Sequence, residues 1–234
     1  MVDFCVTSPR VTIRLLLFDK LAQLDLAGPF EVFARLPEAR VELVAKTLDP
    51  IHSAPGNLQL SPTATFADAP QFDVLMVPGG SGVAQVIEDE ASLVFLSQQA
   101  AGARYVTAVC TGALVLGAAG LLEGYQATTH WLSKDLLTAF GAVPAEGRVV
   151  IDRNRVTGGG VTAGIDFGLT LAAELFGEET AKEVQLMLEY DPQPPFNSGS
   201  PRTASAELVA AVRTKQAERQ AARRTLVERV SQAR

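Results

Sequence analysis

Two cysteines, Cys5 and Cys110, and two histidines, His52 and His130, hold all the thiol and imidazole chemistry this chain can perform. That is too few for a zinc cage built from Cys and His or for a disulfide scaffold. Cys110 is the informative one. It sits in Val109-Cys110-Thr111-Gly112-Ala113, where an apolar strand-like run gives way to an Ala/Leu/Val run of helical character. A strand that turns directly into a helix there places the thiol on a tight elbow, and Gly112 supplies a small neighbour for the turn. Free amides and the dipole of the helix start favour a thiolate, which predicts a lowered thiol pKa. The same amides can stabilise negative charge on a bound substrate. The competing reading is a small buried apolar residue, since free cysteine is often buried. Cys5 lies in the N-terminal tail and His52 in a polar loop, so neither is expected to carry chemistry. His130, in Thr128-Thr129-His130-Trp131, reads either as a base or pocket wall or as a histidine packed beside Trp131. Asp25, in Gln23-Leu24-Asp25-Leu26, reads by itself as a loop or helix-capping carboxylate.

The elements around these residues follow from periodicity. Strands are predicted at Val11–Phe18, Val41–Thr47, Val74–Val77 and Tyr105–Val109, and a hairpin at Val149–Thr157 turning at Asp152–Asn154. Helices are predicted at Phe30–Leu36 after a loop carrying Asp25, over Gly82–Ala101, after Cys110, over Val161–Leu175 and over Glu178–Leu188. Residues 48–72, rich in Pro, Ser, Thr, Asn and Asp, suggest a loop or short hairpin. Charge-poor strands alternating with helices indicate an α/β three-layer sandwich on a mostly parallel central sheet. In such sheets ligands bind at the carboxyl ends of the strands. The turns Asp25–Gly28, Pro78–Gly82 and Cys110–Gly112 are therefore expected to converge.

Composition narrows the function classes. The 234 residues carry a net charge of −6, which argues against a general nucleic-acid binder. From Arg202 onward eight Arg and Lys face three Glu, a balance of +5 that leaves −11 on residues 1–201. Pro192–Pro201 is a stiff connector, and Ser205–Val230 spaces Leu208, Val209, Val212, Leu226 and Val230 for one helical face. The uncharged run Tyr105–Leu122 is long enough to raise a membrane span, but its Gly and Thr content and its change of character at Cys110 favour a buried strand followed by a buried helix. The N-terminus has an early acid and no apolar core, unlike a secretory signal, so a cytoplasmic location is expected. Neither Gly79-Gly80-Ser81-Gly82 nor Gly158-x-Gly160-x-x-x-Gly164 meets a nucleotide-binding pattern: the first has no Gly-Lys-Ser/Thr, and the second misses the dinucleotide spacing. Both clusters read as places where backbone must approach its neighbours closely.

Three segments in one order carry a resemblance: Val77-Pro78-Gly79-Gly80, Ala108-Val109-Cys110-Thr111-Gly112 and Thr128-Thr129-His130-Trp131. They resemble the ThiJ/PfpI superfamily, a branch of the class I glutamine-amidotransferase-like, flavodoxin-like fold. Gln23–Leu26, Thr157–Asp166, Gln185–Tyr190 and Pro194–Pro201 bring the chain close to the isonitrile hydratases within it, from about Val11 to Pro201. The resemblance implies hydration of an isocyanide to an N-substituted formamide. Cys110 is then the nucleophile on its elbow, Asp25 the acid that delivers a proton and handles water, and Thr111 a polar partner. Gly79, Gly80, Gly159 and His130 are then pocket residues. It also implies no cofactor, no metal, a small-molecule isocyanide as the partner, and a homodimer with neither nucleic acid nor membrane. Many relatives carry histidine directly after the cysteine; Thr111 here disfavours a peptidase dyad. An ionised Asp25 beside the thiol would oppose the helix effect, so a shared proton and coupled titration are expected.

The implied organisation is a catalytic domain over 11–201, a tail at 1–10 and a C-terminal amphipathic helix at 202–234 packing on the domain or across a dimer. The 33 residues after Pro201 are too few for a bipartite helix-turn-helix module. Two alternatives use the same thiol: a glyoxalase- or deglycase-like reaction that needs His130 poised over Cys110, and a redox-responsive protective or sensor protein in which Cys110 is oxidised.

Overall fold

Along Val11–Leu16 (β1) the side chains alternate between two apolar layers, Ile13 and Leu15 joining one and Leu16 the other. The same period of two recurs in Val74–Val77 (here β6), where Val74 and Met76 face one layer and Leu75 and Val77 the other. A strand buried on both faces must be covered on both, and that requirement organises the chain. The computed structural model describes residues 11–233; Cys5 and the tail expected at 1–10 lie outside them.

Between β1 and β6 come α1 (Gln23–Phe33), β2 (Ala39–Ala45), β3 (Ile51–His52), β4 (Gln59–Leu60) and β5 (Ala64–Thr65). After β6 follow α2 (Val83–Ile87), α3 (Glu90–Ala100), β7 (Tyr105–Val109) and α4 (Gly112–Ala118). Then come β8 (Gln126–Ala127), a 3-10 helix (Trp131–Phe140), β9 (Val143–Pro144), β10 (Val149–Asp152) and β11 (Arg155–Gly158). The chain closes with α5 (Ala163–Phe176), α6 (Glu178–Met187) and α7 (Ala206–Gln232). The main sheet runs β10-β11-β7-β6-β1-β2-β5. Every pair in it is parallel except the β10–β11 hairpin. β3–β4 and β8–β9 form small sheets of their own. Helices α1, α5 and α6 cover one face through Phe33, Phe167 and Val184, with Phe33 and Phe167 edge to face at 6.1 Å. Helices α2, α3, α4, the 3-10 helix and the end of α7 cover the other through Val86, Phe95, Leu114, Leu137 and Val227. The expected three-layer α/β sandwich is the observed fold.

Several local expectations shift. Helix α1 begins at Gln23, so Asp25 lies in its first turn rather than in a loop, and Pro29 sits inside the helix. The span Gly82–Ala101 breaks into α2 and α3 because Asp89 caps the second helix, accepting from Ser92 N at 3.0 Å. The uncharged run divides into β7 and α4, and no helix among the described residues is long and apolar enough to cross a membrane. The 3-10 helix falls where periodicity shows no element; Leu136, Leu137 and Phe140 bury it, and Gly141 closes it at φ 73°.

Helix α7 starts from Ser205, whose side chain caps it by accepting from Leu208 N at 3.2 Å. The apolar face expected along it is buried mainly toward its C-terminal end, at Leu226 and Val227, whereas Leu208 is 46% exposed. Ion pairs Arg224–Asp135 and Arg229–Glu88 tie the same end to the body. Replacing Leu226 by Ala is expected to cost about 2–5 kcal/mol in urea unfolding. A loss below about 0.5 kcal/mol would show that the helix end is not part of the core.

Candidate active site

The backbone at Cys110 holds φ +54°, a left-handed conformation unusual for a residue with a side chain. Such a residue costs of order 1–3 kcal/mol and persists only when its surroundings hold it. Here Cys110 N donates to the Gly158 carbonyl at 3.0 Å, and the Cys110 carbonyl accepts from Thr129 Oγ1 at 2.6 Å. β11 and the Thr128–Thr129 segment thus clamp the elbow from both sides. At Gly112 a side chain would run into the carbonyl oxygens of Val77 and Pro78, so α4 can start this close to β6 only with glycine there.

Asp25 approaches from the opposite side of the same strand ends. Ala22 N donates to the Gly79 carbonyl at 2.8 Å, and Gly79 N donates to Asp25 Oδ2 at 2.9 Å. A Cβ on Gly79 would come within 2.7 Å of both Asp25 Oδ2 and the Thr111 amide nitrogen, so this glycine lets the carboxyl, the loop and the elbow share one space. Thr111 Oγ1 accepts from Gly80 N at 3.1 Å and fastens the loop to the elbow. The three turns expected to converge, after β1, β6 and β7, meet here.

Asp25 has no solvent exposure, and its Oδ1 has no hydrogen bond of ordinary geometry. Its carboxyl lies against the Cys110 thiol, and each group changes the other. Burial raises the Asp25 pKa from 3.8 to about 7, against the opposing pull of the Gly79 amide and the thiol. Burial and then the Asp25 charge push the thiol pKa up, outweighing the Thr111 amide and hydroxyl that draw it down. This corrects the expected lowering of the thiol pKa: α4 is only seven residues long, and desolvation with a neighbouring carboxyl outweighs its amides. The carboxyl and the thiol therefore act as one proton-holding pair.

The thiol is 5% exposed and opens onto a cavity of about 300 Å³. Gly80, Ser81, Thr111, His130, Trp131 and Val161 border it, and Val212, Gln216, Arg219, Gln220 and Arg223 of α7 form a wall. His130 Nδ1 accepts from Leu132 N at 3.3 Å, which leaves the ring proton on Nε2. Burial, then Arg223 and Arg219, depress its pKa to about 4, so it stands neutral near pH 7. It shares the cavity with Cys110 without a hydrogen bond to it. Gly79 acts through Asp25 rather than as lining. Gly159 does not border this cavity; it borders an adjoining one that shares His130, Trp131 and Val161. Its amide donates to the Arg148 carbonyl at 2.9 Å. Among the described residues no group of three His, Cys, Asp or Glu side chains could hold a metal. The expected C-terminal helix packs on the body, but nothing in the sequence signals that it borders this cavity, nor that Ala54 and Pro55 do.

The profile of the DJ-1/PfpI family matches residues 11–174, which include Asp25, the Gly79–Gly80 loop, Cys110 and His130. The chain belongs to the DJ-1/PfpI family. A relative from Pseudomonas putida named isonitrile hydratase is 56% identical over 219 residues, which cover 94% of this chain and 96% of that protein. A crystal structure of a ThiJ/PfpI family protein from Pseudomonas syringae superposes with TM-score 0.89 at 44% identity, covering 99% of this chain and 97% of that one. The HTH-type transcriptional regulator GbdR of Pseudomonas aeruginosa is 37% identical over 140 residues, 59% of this chain but 38% of the regulator. The DJ-1/PfpI match stops before α7, so the wall with Arg219 and Arg223 lies outside the part matched by the family profile.

The raised Asp25 pKa has a consequence for stability. Between pH 3.8 and about 7 the folded chain holds the Asp25 proton while the unfolded chain has released it. Stability therefore falls as pH rises through that window, by up to about 1.4 kcal/mol per pH unit. Asp25→Asn removes this slope. In urea unfolding the variant is expected to gain on the wild type by about 3 kcal/mol between pH 4 and pH 7; parallel stability curves would refute the buried, proton-holding carboxyl.

Proposed function

We propose that this protein is an isonitrile hydratase that converts R–N≡C and water into R–NH–CHO through Cys110 and Asp25. The observation that carries the reading is the likeness over nearly the whole chain to the Pseudomonas putida enzyme of that name. The buried carboxyl–thiol pair at the floor of a small cavity supplies the chemistry such a reaction needs.

An isocyanide carbon accepts both a nucleophile and a proton, so an enzyme must deliver both to one atom. With a pKa of about 7, Asp25 is ionised in about half of the molecules at pH 7, and in that form it can take the thiol proton as the sulfur bonds to the isocyanide carbon and pass it to that carbon. The product of this step is a thioimidate, R–N=CH–S–Cys110. Water then adds to the same carbon; Asp25 takes the water proton and passes it to the nitrogen, which leaves the carboxyl ionised again. When the carbon–sulfur bond breaks, the hydroxyl proton returns to the thiol through Asp25 and the formamide leaves. Atoms balance with one water consumed, and Asp25 ends as it began. The high thiol pKa suits this sequence: sulfur stays protonated until substrate arrives, and the proton it releases is the one the carbon needs. Thr111 holds the elbow and the loop together, and its amide and hydroxyl face the charge that builds on sulfur.

The alternatives fit less well. A glyoxalase-like reaction needs His130 over the thiol, but its Nδ1 is occupied by Leu132 N and its pKa is pushed down to about 4. A redox sensor needs an easily formed thiolate, which burial and Asp25 oppose here. The same reading carries a homodimer working in the reducing cytoplasm, where a free thiol such as Cys110 persists.

The test offers purified enzyme alkyl and aryl isocyanides and follows formamide by chromatography. Wild type is expected to turn over, Cys110→Ala to lose activity to background, and Asp25→Asn to fall by about 10²–10⁴-fold. Absence of formamide from the wild type across the series sinks the assignment; turnover retained in Cys110→Ala sinks the nucleophile.

A further inference from the structure

The cavity over Cys110 has a charge pattern that hydration of a neutral isocyanide does not require. Among the described residues its only charged lining side chains are Arg219 and Arg223, and no Asp or Glu lines it. The two arginines stand four residues apart on α7, a spacing at which like charges repel across one helix face. Nothing among the described residues relieves that repulsion. Four other basic residues near this end of the chain behave differently: Arg202 pairs with Glu146, Arg224 with Asp135 and Arg229 with Glu88, and Arg213 lies over the Trp131 ring. Lys215, also without a carboxylate partner among the described residues, is exposed and does not line the cavity. Arg219 and Arg223 have no carboxylate partner among the described residues.

Arg223 is also held in place. Its Nη1 donates to Ser133 Oγ at 3.0 Å and, with the Gln220 amide turned so that both its ends are satisfied, to Gln220 Oε1 at 3.0 Å. Those neutral partners fix the guanidinium without neutralising it. Its Nε and Nη2 have no acceptor among the described residues, although the group is half-buried. A fixed guanidinium with unused donors, in a cavity with a second unpaired arginine, is a preformed receptor for a carboxylate. It also lies near enough to Cys110 for charge on the sulfur to be felt at Arg223. A ligand in this cavity would therefore meet both the thiol and the arginines.

We propose that Arg219 and Arg223 form a carboxylate subsite, and that the preferred substrates are isocyanides whose organic group carries a carboxylate. The subsite as a substrate determinant rests on the hydratase reading, while carboxylate binding there does not. The isocyano carbon would reach Cys110 while the carboxylate takes the unused donors of the α7 wall, so the wall selects the substrate and the carboxyl–thiol pair transforms it.

The test uses a short series of ω-isocyano carboxylates and their methyl esters. In the wild type, kcat/KM is expected to favour the acid over its ester at least tenfold at one or more chain lengths, mainly through KM, and the ratio should shrink with added salt. In Arg219→Gln/Arg223→Gln the ratio is expected to fall to near one. Arg219→Glu, at an exposed position with no partner to lose, gives a second variant in which the ratio should invert even if the double variant folds poorly. Calorimetry with the matching N-formyl amino acids and their esters reads the subsite without turnover: the acids should bind at least tenfold tighter than the esters to the wild type and equally to the double variant. Esters favoured at every chain length, or an acid preference that survives in both variants, would overturn the proposal. Hydration of neutral isocyanides without tighter binding of the acids would remove the subsite and leave the hydratase. Tighter acid binding without hydration of any isocyanide would remove the hydratase and leave the subsite.

Discussion

A carboxyl and a thiol pressed together out of water govern this molecule. Either group alone could be buried neutral at modest cost; side by side, each makes the other harder to ionise. The Gly79 amide on Asp25 Oδ2 is the principal compensation, while Oδ1 has no hydrogen bond of ordinary geometry. At pH 7 the Asp25 carboxyl therefore still holds its proton in about half of the molecules, where an isolated aspartate would have released it. The strained backbone at Cys110, the missing side chain at Gly79 and the short α4 are the conditions under which these groups can meet.

The sheet makes that meeting reproducible. β6 lies between β1 and β7, so the turns leaving β1 and β7 flank the Gly79–Gly80 loop that follows β6. Two short hydrogen-bond chains then fix the positions. One runs through Gly79 to α1 and Asp25; the other runs through Thr111 between the loop and the elbow. β11 and Thr129 hold Cys110 from the far side. Residues from distant parts of the chain thus converge because parallel strands end side by side, and the layers on both faces keep the ends dry.

Legibility from sequence followed the range of the interactions involved. The strand at Tyr105–Val109, the elbow after it and the final long helix rest on local patterning, and each is present. Asp25 shows the limit. Its segment reads as a loop because Gly28-Pro29 looks like a helix start, yet α1 begins six residues before Pro29, with Phe33 packing on Phe167 of α5. The direction of the thiol pKa was missed for a related reason. A helix start is visible in sequence, whereas the burial that outweighs it is a sum over residues brought from elsewhere. The 3-10 helix at Trp131–Phe140 was missed because its contacts, not its period, stabilise it.

The sequence by itself determined the sole thiol on a strand-to-helix turn, the absence of enough Cys and His for a zinc cage, the alternation of strands and helices, and a basic C-terminal segment distinct from an acidic body. Those follow from residue type and spacing, which need no knowledge of the fold. Only the tertiary structure decided that Asp25 is buried against the thiol, that His130 accepts from Leu132 N and has no hydrogen bond to Cys110, and that the basic segment brings two unpaired arginines to the cavity over Cys110. The reason is physical: pKa values and ligand contacts depend on what surrounds a group within a few ångströms, and here those surroundings come from segments up to about two hundred residues apart.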